Sequence, residues 1–218
     1  MRHLGLAGIV SVMLAVEFAV GVGLGAQPVA DAPLTTLGAR TDEISFGDLA
    51  TDALCEATGA PVAFVPAVAF KDGTINVGPF DQAAVNGLLQ NPTETLAVSS
   101  LTGTQIKQAL ERSLSRLPLP SGAFLQVAGL VVTYDPQGTR ENRVKSVLIG
   151  GAPLNEGQSY DVAMPVSLAK GGSGYFQVFD VGDIVRQENT TVGVAIYAFA
   201  EAKGHVRYTG QGRLVPTR

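Results

Sequence analysis

Four stretches of helical apolar spacing alternate with short β-branched runs from about residue 40 onward, and neither a repeat nor a linker interrupts them. This alternation is the tightest constraint on the fold. A helix buries one stripe and a strand buries alternate positions, so interleaved elements without a linker must share one core. The first helical stretch has Leu49, Ala53, Leu54 and Ala57 on one face, with Ser45 and Asp48 placed to cap it and Gly59 to stop it. Asp81 is placed to cap a second, carrying Val85, Leu88 and Leu89. Thr102 opens the clearest one, in which Ile106, Ala109, Leu110, Ser113 and Leu114 face inward while Lys107, Gln108, Glu111 and Arg112 face solvent. Lys107 and Glu111, four residues apart, are expected to pair on its surface. Thr191 is placed to cap the last, with Val192, Ala195, Ile196, Phe199 and Ala202 on one face and Gly204 at its end.

Strands are expected at Pro61–Val65, Thr95–Leu101, Phe124–Asp135, Arg143–Ile149 and Tyr160–Val166, with a closing strand at Gln211–Val215. The expected fold class is therefore α/β (α+β): a single domain, residues 40–217, built on one mixed sheet with flanking helices. Residues 27–39, with Pro28, Pro33 and several alanines, read as a flexible lead-in.

Residues 1–26 read as an export signal: Arg2 and His3, an apolar run from Leu4 to Leu24, then Gly25 and Ala26. Leu24 is large for the position three before such a cut, and an uncleaved membrane anchor is the alternative, since ~20 apolar residues span a bilayer. Glu17 within the run favours the signal, so membrane contact is expected only through this segment if it stays attached. A single cysteine, Cys55, means that an exported chain has no internal disulfide and relies on its core. Cys55 lies in a helical pattern and reads as a small buried residue.

A formal net charge of −4 argues against nucleic acid as a partner, because such proteins carry a basic footprint. Hydrolysis at a two-metal centre needs several histidine and carboxylate ligands. Beyond the signal one histidine remains, His205, and no H-E-x-x-H or C-x-x-C is present. His205 reads as solvent-facing or hydrogen-bonded, and no metal ligand, cofactor or catalytic residue is expected. A Cys55–His205 dyad is the one nucleophilic alternative, and the helical setting of Cys55 speaks against it. The glycine loop Lys170-Gly171-Gly172-Ser173-Gly174 is neither a Walker motif nor a nucleophile elbow. It is either a tight turn or an anion cradle of backbone N–H groups.

Five segments in register carry a family resemblance: Phe46-Gly47-Asp48-Leu49-Ala50-Thr51-Asp52-Ala53-Leu54, Leu101 to Glu111, Phe124-Leu125-Gln126-Val127-Ala128-Gly129-Leu130, Tyr134-Asp135-Pro136 and Gly171-Gly172-Ser173-Gly174-Tyr175. In order and separation they resemble the C-terminal domain of 5′-nucleotidases, over about Arg40 to Val215. In that family an N-terminal metallophosphatase domain holds two metal ions, and the C-terminal domain grips the nucleoside and helps neutralise phosphate. The chain is accordingly read as a stand-alone copy of the gripping domain.

The resemblance implies a binding set. Arg40 matches a family arginine that contacts phosphate. Lys71 replaces a second arginine, keeping charge but losing the planar fork, and Pro66 replaces an asparagine. Gly171, Gly172 and Ser173 form the ligand loop, with Ser173 where the family has aspartate. The two base-stacking phenylalanines fall in Gln90-Asn91-Pro92-Thr93 and in Val166-Ser167-Leu168-Ala169, neither of which holds a ring, so Ser167 stands near one ring position. The expected function is a non-catalytic module binding a nucleotide or a phosphate-bearing small molecule outside the cytoplasmic membrane. Completion of a hydrolase by a separate metallophosphatase subunit, and a structural or protein-interaction role in the cell envelope, are the alternatives.

Overall fold

A computed structural model of the protein describes residues 26–217, so the expected export signal lies, but for Ala26, outside the described residues. In chain order the strands are β1 (Val29–Ala30), β2 (Leu34–Thr35), β3 (Val62–Pro66), β4 (Thr74–Ile75), β5 (Gly78–Pro79), β6 (Thr95–Thr102), β7 (Leu125–Ala128), β8 (Leu130–Tyr134), β9 (Val144–Ile149), β10 (Ala152–Pro153), β11 (Ser159–Pro165), β12 (Ile184–Thr191), β13 (His205–Val206) and β14 (Leu214–Pro216). The helices are α1 (Ser45–Thr58), α2 (Gln82–Gly87), α3 (Gly103–Leu114), α4 (Val166–Ala169) and α5 (Val192–Lys203).

The centre is a mixed five-stranded sheet in the order β12-β6-β11-β3-β7. β3 and β11 are parallel neighbours and the other pairs are antiparallel. All five residues of β3 are buried, as a central strand covered on both faces requires. α1 packs on β3 and β7 and against α5, and α3 packs on β6 and β9. A second sheet, β10-β9-β8-β14, lies beside the first.

One expected strand is two. Phe124–Asp135 breaks at Gly129, whose φ of +77° lies in the left-handed region. β7 before it joins the central sheet and β8 after it joins the second. A Cβ at Gly129 would run into the Pro61 carbonyl oxygen, so glycine is required twice over, for its torsion and for the close approach.

The helix starts divide the same way. Asp81 caps α2, its Oδ1 accepting from Ala84 N–H at 2.8 Å, and Thr102 with Gln105 forms a reciprocal capping box on α3. Ser45 does not cap α1. Its hydroxyl accepts from Thr35 N–H and donates to the Pro33 carbonyl, while the Ile44 N–H at the helix entrance donates to Gln126 Oε1 at 3.0 Å. That amide reaches across because residue 47 is glycine, where a Cβ would sit 2.6 Å from Gln126 Oε1. The expected Lys107–Glu111 pair does not form either. Lys107 pairs with Glu156 at 2.6 Å, and Glu111 accepts the N–H groups of Arg143 and Val144.

Residues 27–39, expected as a flexible lead-in, are part of the packed structure. β1 pairs with β13 and β5, β2 pairs with β4, and Ala30, Ala32, Leu34 and Thr36 are buried at alternate positions. The period-two pattern is present in the sequence, but alanines make it faint. β12 has no counterpart among the expected strands. It is a polar edge strand, Ile184-Val185-Arg186-Gln187-Glu188-Asn189-Thr190-Thr191, and charge on an edge is how exposed ladder groups are kept from pairing with other chains. In α5, Ala202 is exposed where burial is expected.

Candidate functional site

The ends of the central strands place the site. Pro66 of β3 lies opposite Leu125 of β7, Pro165 of β11 opposite Leu96 of β6, and Thr191 of β12 opposite Thr95. The loops after β3 and β11, and those before β6 and β7, therefore gather at one sheet edge. This is the carboxyl edge of the two parallel strands, where open α/β sheets place their ligands. Val68 N–H donates to the Gly122 carbonyl and Gln90 N–H to that of Ala69, which ties these loops together.

Between them runs a groove of about 330 Å³ lined by Val68, Arg112, Arg116, Pro120, Ser121, Gly122, Ala123 and Ser173. One wall is the glycine loop. Gly171 (φ 82°, ψ 13°) and Ser173 (φ 57°, ψ 21°) are left-handed, with Gly172 between them, and Ser173 is the non-glycine residue with positive φ among those described. The loop is a tight 3-10 turn, closed by the Tyr175 N–H, which lies 3.1 Å from the carbonyls of both Gly171 and Gly172. Glycine-rich turns with left-handed residues are the backbone setting in which anion-binding nests form.

Tyr175 fixes the loop from beneath. It is fully buried, stacks on Phe179 with centroids 5.1 Å apart, and donates its hydroxyl to the Ala123 carbonyl at 2.6 Å, joining the two walls. Burial pushes its phenol well above the usual tyrosine range, so it stays a donor. Arg112 lies over the same ring, 5.9 Å from its centroid, and its Nε donates to the Gly174 carbonyl at 3.2 Å.

The expected site residues are only partly assembled. Ser173 lines the groove, and Arg40 stands at its edge, with Nη1 3.4 Å from where a Gly122 Cβ would be. Lys71 is exposed on the next loop, its N–H bonded to the Leu88 carbonyl, outside the groove lining. Gly171 is buried and Gly172 rests against the Ser167 carbonyl, so these two shape the loop and do not line the groove. Ser167 is exposed, and its N–H donates to Glu94 Oε1 at 2.7 Å. That bond brings Val166–Ala169 next to the segment after Gln90–Thr93. The two ring-bearing segments of the resemblance are thus adjacent, with a carboxylate between them and no ring in either.

Arg112 and Arg116 are site residues that the sequence reading misses. Their signal is legible, since spacing of four puts both on the outward face of α3 and its first following turn, but such residues ordinarily mark a solvated face.

Two other features hold less chemistry. A larger concavity of about 610 Å³ lies between residues 73–88 and Gln27. Its carboxylate, Asp81, is occupied in capping α2, so no charge converges there. Cys55 is half-buried, not fully buried as expected, and burial followed by the charge of Asp52 pushes its thiol up to about 12. His205 is exposed and its Nδ1 lies 2.9 Å from Asp31 Oδ1. A thiol that high is not a nucleophile near neutral pH. Among the described residues no group of three or more His, Cys, Asp or Glu side chains is arranged to hold a metal ion.

Comparison with known proteins gives this site its family. The profile of the 5′-nucleotidase C-terminal domain matches residues 25–181. The trifunctional nucleotide phosphoesterase protein YfkN of Bacillus subtilis is 33% identical over 145 residues, covering 62% of this chain and 10% of that protein. Snake venom 5′-nucleotidase of Naja atra is 29% identical over 154 residues, covering 63% and 29%. The 5′-nucleotidase precursor of Thermus thermophilus superposes with a TM-score of 0.80 at 24% identity, covering 89% of this chain and 40% of that one. At that identity it shows the fold alone. The chain thus spans less than a third of the length of these curated relatives, and it belongs to the 5′-nucleotidase C-terminal domain family.

Proposed function

We propose that the protein is an exported module that binds a nucleotide or a related phosphate-bearing small molecule at the sheet-edge groove and does not hydrolyse it by itself. The observation that carries this reading is the pairing of arginines and a glycine loop around one groove with described residues in which no histidine and acid cluster suits a bimetallic centre. Export is supported by the apolar run from Leu4 to Leu24 and by relatives that include snake venom proteins.

Calorimetric titration of the purified chain, without added metal, tests the binding half. Heat of binding is expected for AMP, and weak affinity is expected because neither segment to which the resemblance gives a stacking phenylalanine holds one. No binding by AMP, ADP or ribose 5-phosphate would contradict the reading.

A second reading, completion of a hydrolase in trans, is favoured by apolar side chains beside the groove. Val68 is 44% exposed and Leu119 is 61% exposed, which suits a surface that a second protein covers. A candidate metallophosphatase subunit should then turn over faster when this chain is added, and an unchanged rate would count against it.

A further inference from the structure

We infer that Arg112 and Arg116 join Arg40 to form the seat for a dianionic phosphate group; this rests on the reading above and adds to Arg40, which the resemblance assigned, two residues that neither the motifs nor the resemblance did. Three observations converge. Arg112 and Arg116 both line the groove, and Arg40 Nη1 reaches its floor at Gly122. None of the three guanidinium groups has a carboxylate within salt-bridge distance among the described residues. The chain has a formal net charge of −4, so three unpaired cations around one groove are not a by-product of a basic surface.

Arg112 is held in place before any ligand arrives. It lies over the Tyr175 ring, and its Nε and Nη2 are directed at the carbonyls of Gly174 and Ser173, which orients the fork and steadies the glycine loop at the same time. The carboxylate nearest in sequence, Glu111, is taken up by the N–H groups of Arg143 and Val144. Arg116 is exposed and makes no side-chain hydrogen bond among the described residues, so it is free to close over the ligand. A planar guanidinium presents paired donors to phosphate oxygens, and Ser173, which lines the same groove, brings a hydroxyl donor. A phosphate monoester carries enough acceptors for all of these, whereas a carboxylate would leave part of the seat unmet.

The test is calorimetry with AMP and, separately, inorganic phosphate, on the unaltered chain, Arg116→Ala and Arg112→Lys. Arg116→Ala removes an exposed side chain and should fold normally, as circular dichroism would show. Inorganic phosphate is expected to bind and to compete with AMP, and each substitution should weaken both by about tenfold or more. If AMP binds the unaltered chain and both variants equally, the seat is wrong while the nucleotide reading survives. If phosphate binds in an Arg116-dependent way and AMP does not bind, the seat is right and the nucleotide reading falls. If neither probe binds, both fall.

Discussion

Asp48 shows how far one residue can depart from what its sequence setting suggests. It stands where a capping carboxylate is expected, in the first turn of α1, yet it is 1% exposed and neither oxygen has a hydrogen-bond partner in the structure. Arg213 approaches to 3.7 Å, while Glu43, Asp52 and Tyr208 crowd the same corner. Burial first, then the charge of Glu43, raises its pKa from 3.8 to about 7. The folded chain therefore holds this proton more tightly than the unfolded chain does. The stability this confers is complete below pH 3.8 and is lost as pH rises through about 7. Each pH unit between the two values is worth ~1.4 kcal/mol, which bounds the effect at about 4 kcal/mol. Asp48→Asn should accordingly raise the thermal midpoint at pH 8, at ~2–4 °C per kcal/mol, and make no comparable difference at pH 4. An equal shift at both pH values would show that charge is not the cause. Ser167 gives a second test at this scale. Ser167→Phe restores a ring beside the groove, so AMP should gain roughly five- to tenfold in affinity while ribose 5-phosphate is unchanged, since base stacking is worth ~1–3 kcal/mol.

At the scale of elements, the turns and caps carry the information that side-chain pattern lacks. Gly129 divides β7 from β8 and thereby assigns one run of sequence to two sheets. Gly129→Ala should cost at least ~3 kcal/mol, combining a left-handed torsion with collision against the Pro61 carbonyl. A denaturation midpoint within error of the unaltered chain would refute the role given to it. The tail is tied down by Glu43 beside the Arg213–Asp52 pair. Glu43 accepts the N–H groups of Gln211, Arg213 and Leu214 at 2.6, 2.7 and 2.9 Å, which sets β14 against β8. Glu43→Ala should free residues 211–216, read as faster amide exchange there than in β3. Elements such as α2 and α3 are legible because their caps are local, with donor and acceptor three residues apart. The cap on α1 is not, because Gln126 supplies it from 82 residues away. β12 is hidden for another reason: its mostly polar residues suit an edge and give no period to read.

For the molecule as a whole, the mixed sheet and its flanking helices follow from the alternation of patterns, and the family follows from motifs that turn out to be framework. Gly47 exists for Gln126, Thr51 bonds the Val127 carbonyl, and Gly129 serves Pro61. These contacts preserve a scaffold and say little about what it binds. The groove is only half legible, through Arg40 and Ser173, because Arg112 and Arg116 become neighbours of the glycine loop only when α3 packs on β6 and β9 and so sets Arg112 over the Tyr175 ring. Among the described residues no group of three or more His, Cys, Asp or Glu side chains is arranged to hold a metal ion, and the proposal of binding without hydrolysis rests on that, since a metal-activated water needs a held metal. The direct measurement is phosphate release from AMP by the purified chain in excess divalent metal, run beside a binding titration on the same sample. Binding with no turnover, unchanged by chelator, is expected. Turnover by the chain alone that a chelator abolishes would contradict it.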